Sequence, residues 1–269
     1  MNKSLIKATL WVAFFVLTAS LTYFGLNRSD ASIDFKALNK EKNLAQSASI
    51  KEEFDNLIKN IGSSTTVVKP DVLTSTDTTR LALSIQLLDT MKQYLYAAVL
   101  SEKLATLQNN PTKYHDAAKY YLMELYNHEA EKNELMITKK ARENLEKSLA
   151  LKPKNNEAKI DLAVSIYNIN RMQAPESQSD LMRPALLLKE VITADSNNLD
   201  ALYYLGKLSI ETNQFEKAIE RFKKLVSLQP QNPDFYFEIS QIYALMGNKE
   251  ESELWNKKGQ SLTKTKNKR

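Results

Sequence analysis

Few residues in this sequence are of a type and spacing that could do chemistry. Two histidines occur, His115 and His128, 13 positions apart. His115 precedes Asp116, and a histidine beside a carboxylate is the raw material of a general base or a metal site. Neither use is completed along the chain: His115-Asp116 has no second histidine and carboxylate in helical register, so a metal ion would lack ligands. His128, with Glu129 and Glu131, reads as the solvated face of a charged helix. The carboxylate pairs Glu52-Glu53 and Glu250-Glu251 are common on exposed helices and mark no pocket. Cysteine is absent, which removes disulfides, thiolate zinc sites, a thiol nucleophile and a lipid-bearing cysteine. There is no glycine-rich phosphate loop, nucleophile elbow or zinc-protease motif. The sequence therefore speaks against an enzyme and calls for no cofactor and no metal.

The elements that carry these residues are helical by composition. The 269 residues are 43% apolar and 26% charged, with only 5 Gly and 7 Pro. That is enough apolar material for a core, and the abundance of Leu, Ala, Lys and Glu favours an all-α fold over hairpins or nucleotide-binding sheets. Part of the net charge of +5 lies near the end, at Lys257, Lys258, Lys264, Lys266, Lys268 and Arg269. Lacking interleaved aromatics, this run reads as a solvated tail, and no nucleic acid is expected as a partner.

Residues Ala8 to Leu26 carry no charge, follow Lys3 and Lys7, and precede Arg28. Nineteen uncharged residues just span a bilayer, Trp11 and Tyr23 suit its interfaces, and the preceding lysines place the amino terminus in the cytoplasm. Residues 1–28 are expected to form a transmembrane signal anchor in the inner (cytoplasmic) membrane, with the remainder in the periplasm. The alternative is a cleaved signal peptide, with Thr18-Ala19-Ser20 as the processing site, and a secreted periplasmic protein. The apolar run continues past that site to Leu26, which favours the uncleaved anchor. Residues 29–77 read as a juxtamembrane spacer, broken by Gly62, a Ser/Thr cluster and Pro70, with Asp77 or Thr78 placed to cap the next helix.

A repeat is clearest in LDALYYLGKLSIETNQFEKAIERFKKLVSLQPQN, Leu199 to Asn232. It resembles the tetratricopeptide repeat. Counting Leu199 as position 1, the signature falls on Leu202, Leu205, Gly206, Ala218, Phe222, Leu225 and Pro230, and departs from it at Ser209, where the family usually has Tyr. Small residues at positions 8 and 20 let two helices approach, and the proline ends the second. Units of the same frame are set at 78–111, 112–155, 156–198, 199–232 and 233–266, followed by a basic end at 267–269. The second and third need insertions near Asn127 to Ile137 and Arg171 to Asp180. Pro184 is accommodated in a first turn after an N-cap such as Asp180.

The resemblance implies a right-handed superhelical solenoid of helix-turn-helix units behind the N-terminal transmembrane helix, and a concave face that holds a protein or peptide. Carried over position by position, the groove candidates are Ile160, Val164, Tyr167 and Asn168 in the third unit, Tyr203, Lys207, Ile210 and Glu211 in the fourth, and Phe237, Gln241 and Leu245 in the fifth. Tyr203 stands where the family's clamp for a terminal carboxylate needs a basic residue, so that ligand is not expected. The functional expectation is a membrane-tethered scaffold. Alternatives are an accessory subunit of an envelope enzyme system such as cytochrome c maturation, and a self-associating organiser that pairs through Phe54 and Ile58 as a homo-oligomer.

Overall fold

The structure is a computed structural model that describes residues 70–125, 133–175 and 178–266. The anchor, most of the spacer, His128 and the last three residues lie outside them. Among the described residues no helix is long and apolar enough to cross a membrane, and all regular structure is α-helical. A short helix, α1 (Pro70–Thr74), is followed by ten more: α2 (Thr78–Thr90), α3 (Tyr94–Gln108), α4 (Pro111–Glu124), α5 (Glu134–Leu151), α6 (Asn156–Met172), α7 (Gln178–Ala194), α8 (Leu199–Glu211), α9 (Phe215–Leu228), α10 (Pro233–Leu245) and α11 (Lys249–Lys266). Each packs on the next, so the described residues form a stack of antiparallel helix pairs, the first helices being α2, α4, α6, α8 and α10.

One local rule starts every first helix. Asp77, Asn110, Asn155, Asn198 and Asn232 occupy the N-cap, and each side-chain oxygen accepts from a backbone N–H of the first turn. A short polar side chain there satisfies donors that the helix cannot. The second helices α3 and α9, begun by Gln93 and Gln214, have no such cap. They begin instead from tight turns in which Lys92 or Asn213 takes positive φ (57° and 55°), as Gly247 (77°) does before α11, while the following N–H reaches back to Leu88, Ser209 or Tyr243. This left-handed closure of a helix end costs glycine least.

Part of the stretch read as spacer belongs to the stack. Pro70 opens α1, where its missing N–H costs nothing, and the carbonyl of Leu73 accepts from Lys103 Nζ in α3 at 2.7 Å. The expectation for Pro184 is corrected. Helix α7 begins at Gln178, so Asp180 lies in its first turn rather than at its N-cap, and Pro184 is inside the helix. The proline is tolerated because the carbonyl of Asp180, which would accept from residue 184, accepts instead from Asn170 Nδ2 at 2.9 Å. The extra residues near Arg171 to Asp180 are taken up by longer helices, 17 residues in both α6 and α7 against 13 in α8 and 14 in α9.

The core runs between the pairs. Ala163, Leu188, Val191, Ala201 and Leu205 join α6, α7 and α8, and Leu202, Ala218, Phe222, Leu225, Phe235 and Ile239 join α8, α9 and α10. The signature residues Leu202, Leu205, Gly206, Ala218, Phe222 and Leu225 are all buried, and Pro230 is exposed just past α9. Gly206 lies flat on the Phe222 ring; a Cβ there would come within 2.7 Å of it. Ser209, where the family pattern has Tyr, has a role of its own, since its hydroxyl accepts from the Arg221 guanidinium across the pair.

Candidate functional site

The first helices are joined to one another by a line of polar contacts. The Tyr120 hydroxyl of α4 lies near enough to Asp89 of α2 for that carboxylate to help hold its proton, His115 of α4 bonds Asp161 of α6 at 2.8 Å, and Lys119 pairs with Glu157. Tyr167 of α6 donates to Glu211 Oε1 of α8 at 2.7 Å. Tyr203 of α8 donates to Glu238 Oε1 of α10 at 3.3 Å, and Lys207 donates to both oxygens of that carboxylate at 3.1 Å. Two of these ties are tyrosine to carboxylate, one helix pair apart.

The groove candidates divide on this line. Ile160 is buried among Leu188, Val191, Ala201 and Leu205, and Val164 packs beside it. Tyr167 is buried to its hydroxyl and meets Tyr204 edge-on at 6.4 Å. Tyr203 is half-buried, edge-on to both Tyr204 and Phe222 at 5.4 and 5.8 Å. Ile210 packs on the same core. Phe237 is half-buried against Gly259 of α11, where a Cβ would meet its ring at 2.7 Å. Asn168 and Lys207 are half-buried, and Glu211, Gln241 and Leu245 are exposed. Leu245 is 55% exposed and its neighbour Met246 41%, at the end of α10.

Burial, reinforced by the Glu238 carboxylate, pushes the Tyr203 phenol up to about 12. Burial and the Glu211 contact push Tyr167 higher still. Both hydroxyls are therefore fixed donors at neutral pH. On the second helices, burial alone would raise the Glu102 carboxyl, but Lys140 and Lys147, with donation from Tyr121 and Asn144, leave it below the usual carboxylate range.

Reading along the chain missed the partner of His115. The buried imidazole meets Asp161, 46 residues away, not Asp116. Asn155 presents its amide nitrogen to His115 Nδ1 at 3.4 Å while its oxygen caps α6. An amide nitrogen can only donate, so Nδ1 accepts and the ring proton sits on Nε2, facing Asp161. Both ring nitrogens are engaged, and neither is open to take a substrate proton or a metal. No group of three or more His, Cys, Asp or Glu among the described residues could hold a metal ion.

Comparison with known proteins agrees with this architecture. The family model described as TPR repeat matches residues 208–247, from the end of α8 to the turn after α10. No curated protein matches the chain. Among solved structures, a MamA protein superposes with a TM-score of 0.58 at 22% identity, over 71% of this chain and 94% of that one. MamA from Desulfovibrio magneticus RS-1 gives 0.58 at 16% identity, over 71% and 97%. YrrB, described as a TPR protein with an unusual peptide-binding site, gives 0.53 at 15% identity, over 78% and 91%. At such identities the likeness is one of fold. With the sequence match inside it and the stacked helix pairs around it, the chain contains a tetratricopeptide repeat and has the fold of tetratricopeptide-repeat proteins.

Proposed function

We propose that the chain is a scaffold that holds a protein or peptide on the concave face formed by its first helices, and that Ala8 to Leu26 tethers it to the inner membrane with the repeats in the periplasm. The observation that carries the binding reading is the end of α10. There Leu245 and Met246 stand 55% and 41% exposed, one helical turn from the exposed Gln241. Large apolar side chains left in water next to fixed polar groups are what a partner segment covers. The fully engaged His115 argues against a catalytic use of that histidine. A peptide-binding site is described for YrrB, which shares the fold. The tether rests on the 19 uncharged residues and the lysines before them.

The test is affinity purification of the tagged full-length chain from gently solubilised native membranes, with mass spectrometry of what accompanies it. Gln241→Arg combined with Leu245→Glu alters only exposed positions and is expected to strip the partner while circular dichroism melts stay unchanged. A partner retained by this variant refutes the assignment of the face. Recovery of the chain in the soluble fraction after cell breakage refutes the tether.

A further inference from the structure

The charge of the last two helix pairs is segregated between their helices. First helices α8 and α10 carry Asp200, Glu211, Asp234 and Glu238 against Lys207, a net of −3, whereas α9 alone carries Lys217, Arg221, Lys223 and Lys224 against Glu216 and Glu220, a net of +2. In the second and third pairs the first helices are neutral, Lys113 and Lys119 balancing Asp116 and Glu124 in α4, and Lys159 and Arg171 balancing Glu157 and Asp161 in α6. The excess negative charge thus lies on the same helices as the exposed Leu245 and Met246. Lys207 neutralises Glu238 at 3.1 Å, leaving Asp200, Glu211 and Asp234 as exposed carboxylates. Asp234 lies close enough to Tyr203 to help hold its phenol protonated, and Glu211 holds the Tyr167 hydroxyl. The protein's own cations show how such a surface seats a base. The Arg171 guanidinium lies over the Tyr167 ring at 5.8 Å from its centre, beside the Tyr167–Glu211 contact, and Lys207 is cradled by Glu238 next to Tyr203. Aromatic faces flanked by carboxylates attract guanidinium and ammonium groups.

We infer that the segment held along α8 and α10 is basic, a peptide whose Arg or Lys side chains reach Glu211 and Asp234 while its apolar residues cover Leu245 and Met246. The inference rests on the binding face proposed above and names the chemistry of its client. Asp234 stands at the start of α10 and Glu211 at the end of α8; with about 1.5 Å of rise per helical residue and about 10 Å between neighbouring helices the two carboxylates lie roughly 20 Å apart, so basic residues about six positions apart in an extended chain, which rises about 3.3 Å per residue, reach both.

The experiment uses the full-length chain in detergent and two fluorescein-labelled probes, (Ala-Leu-Arg)4 and (Ala-Leu-Glu)4, read by fluorescence anisotropy. The arginine peptide is expected to bind at least about tenfold tighter and to weaken as salt is raised. Glu211→Lys with Asp234→Lys is expected to reverse the preference. Glu211→Gln with Asp234→Asn, gentler to the fold, is expected to abolish it. Equal binding of the two peptides, binding of neither, or a preference that survives both double variants overturns the basic-client inference. None of these outcomes touches the capture test with Gln241→Arg and Leu245→Glu, so failure of the charge reading and failure of the binding face are told apart.

Discussion

The side-chain amide of Asn170 donates at 2.9 Å to the carbonyl of Asp180, the group that Pro184, lacking an N–H, leaves without its helical donor. One helix of the third pair thus supplies the hydrogen bond that its partner's proline removes. Asn170→Ala should lower stability by about 1–2 kcal/mol, the cost of an unmet carbonyl. In a Pro184→Ala background, where the backbone N–H returns, the same change should cost clearly less. Chemical denaturation of the four proteins in this cycle measures the difference, and equal costs in both backgrounds would show that the two residues are uncoupled.

Gly206 and Phe222 set the distance between α8 and α9. A methyl at position 206 would lie 2.7 Å from the ring, so Gly206→Ala is expected to destabilise by about 1–3 kcal/mol through overpacking. Adding Phe222→Leu should recover part of the loss. A Gly206→Ala protein with an unchanged melt would mean that the ring moves aside freely.

Asp161 is the partner of a buried histidine on another helix pair. Its removal in Asp161→Ala leaves His115 Nε2–H unmet and should cost about 1–3 kcal/mol. Asp161→Asn retains an acceptor and should cost less. Denaturant midpoints at pH 7 order the three proteins.

At alkaline pH the tyrosine ties become the weak point. The Tyr203 phenol is raised to about 12 in the folded chain, above the ordinary value near 10. Between these values the unfolded chain loses the proton first, so the folded state binds more protons and stability falls as pH rises from 10 towards 12. Below pH 10 this contribution is complete and constant. Tyr203→Phe removes its share of the slope, which urea titrations at pH 9, 10 and 11 would detect as a shallower fall than in the unaltered chain.

Lys92 holds φ of 57° in the turn between α2 and α3, a conformation that glycine adopts without the Cβ penalty. Lys92→Gly should therefore cost nothing, or stabilise by about 0.5–1 kcal/mol, unlike glycine at ordinary exposed positions. A clear loss of stability in thermal melts would contradict the strain.

What was legible in the sequence was what is local. The glycine, alanine and apolar spacing of Leu199 to Asn232 gives the pairing of α8 with α9, and Asp77 gives the start of α2. The burial of Ile160 and Tyr167, and the seating of Phe237 behind its own partner helix, depend on neighbours far along the chain. Gly259, placed in an otherwise polar helix, was the one available sign that a large side chain approaches there. The His115–Asp161 contact left no sign at all, since a histidine followed by an aspartate drew the pairing to the adjacent residue. Pro184 misled for a related reason: only the arrival of Asn170 from another helix makes an internal proline affordable.

The last pair reverses the arrangement of the fourth. In the fourth the glycine, Gly206, is on the first helix and the aromatic, Phe222, on the second; in the fifth the aromatic, Phe237, is on the first helix and the glycine, Gly259, on the second. The two units are therefore not interchangeable modules. By repeat position, a hybrid that joins α8 to α11 would set Gly206 opposite Asn256 in place of a ring, and one that joins α10 to α9 would bring Phe237 against Leu225 and the Phe222 ring against the Cβ of Ser240. Recombination or duplication can lengthen this array only by copying whole pairs, with a break after α9 or before α8, because a cut within a pair separates each aromatic from the bare backbone that admits it.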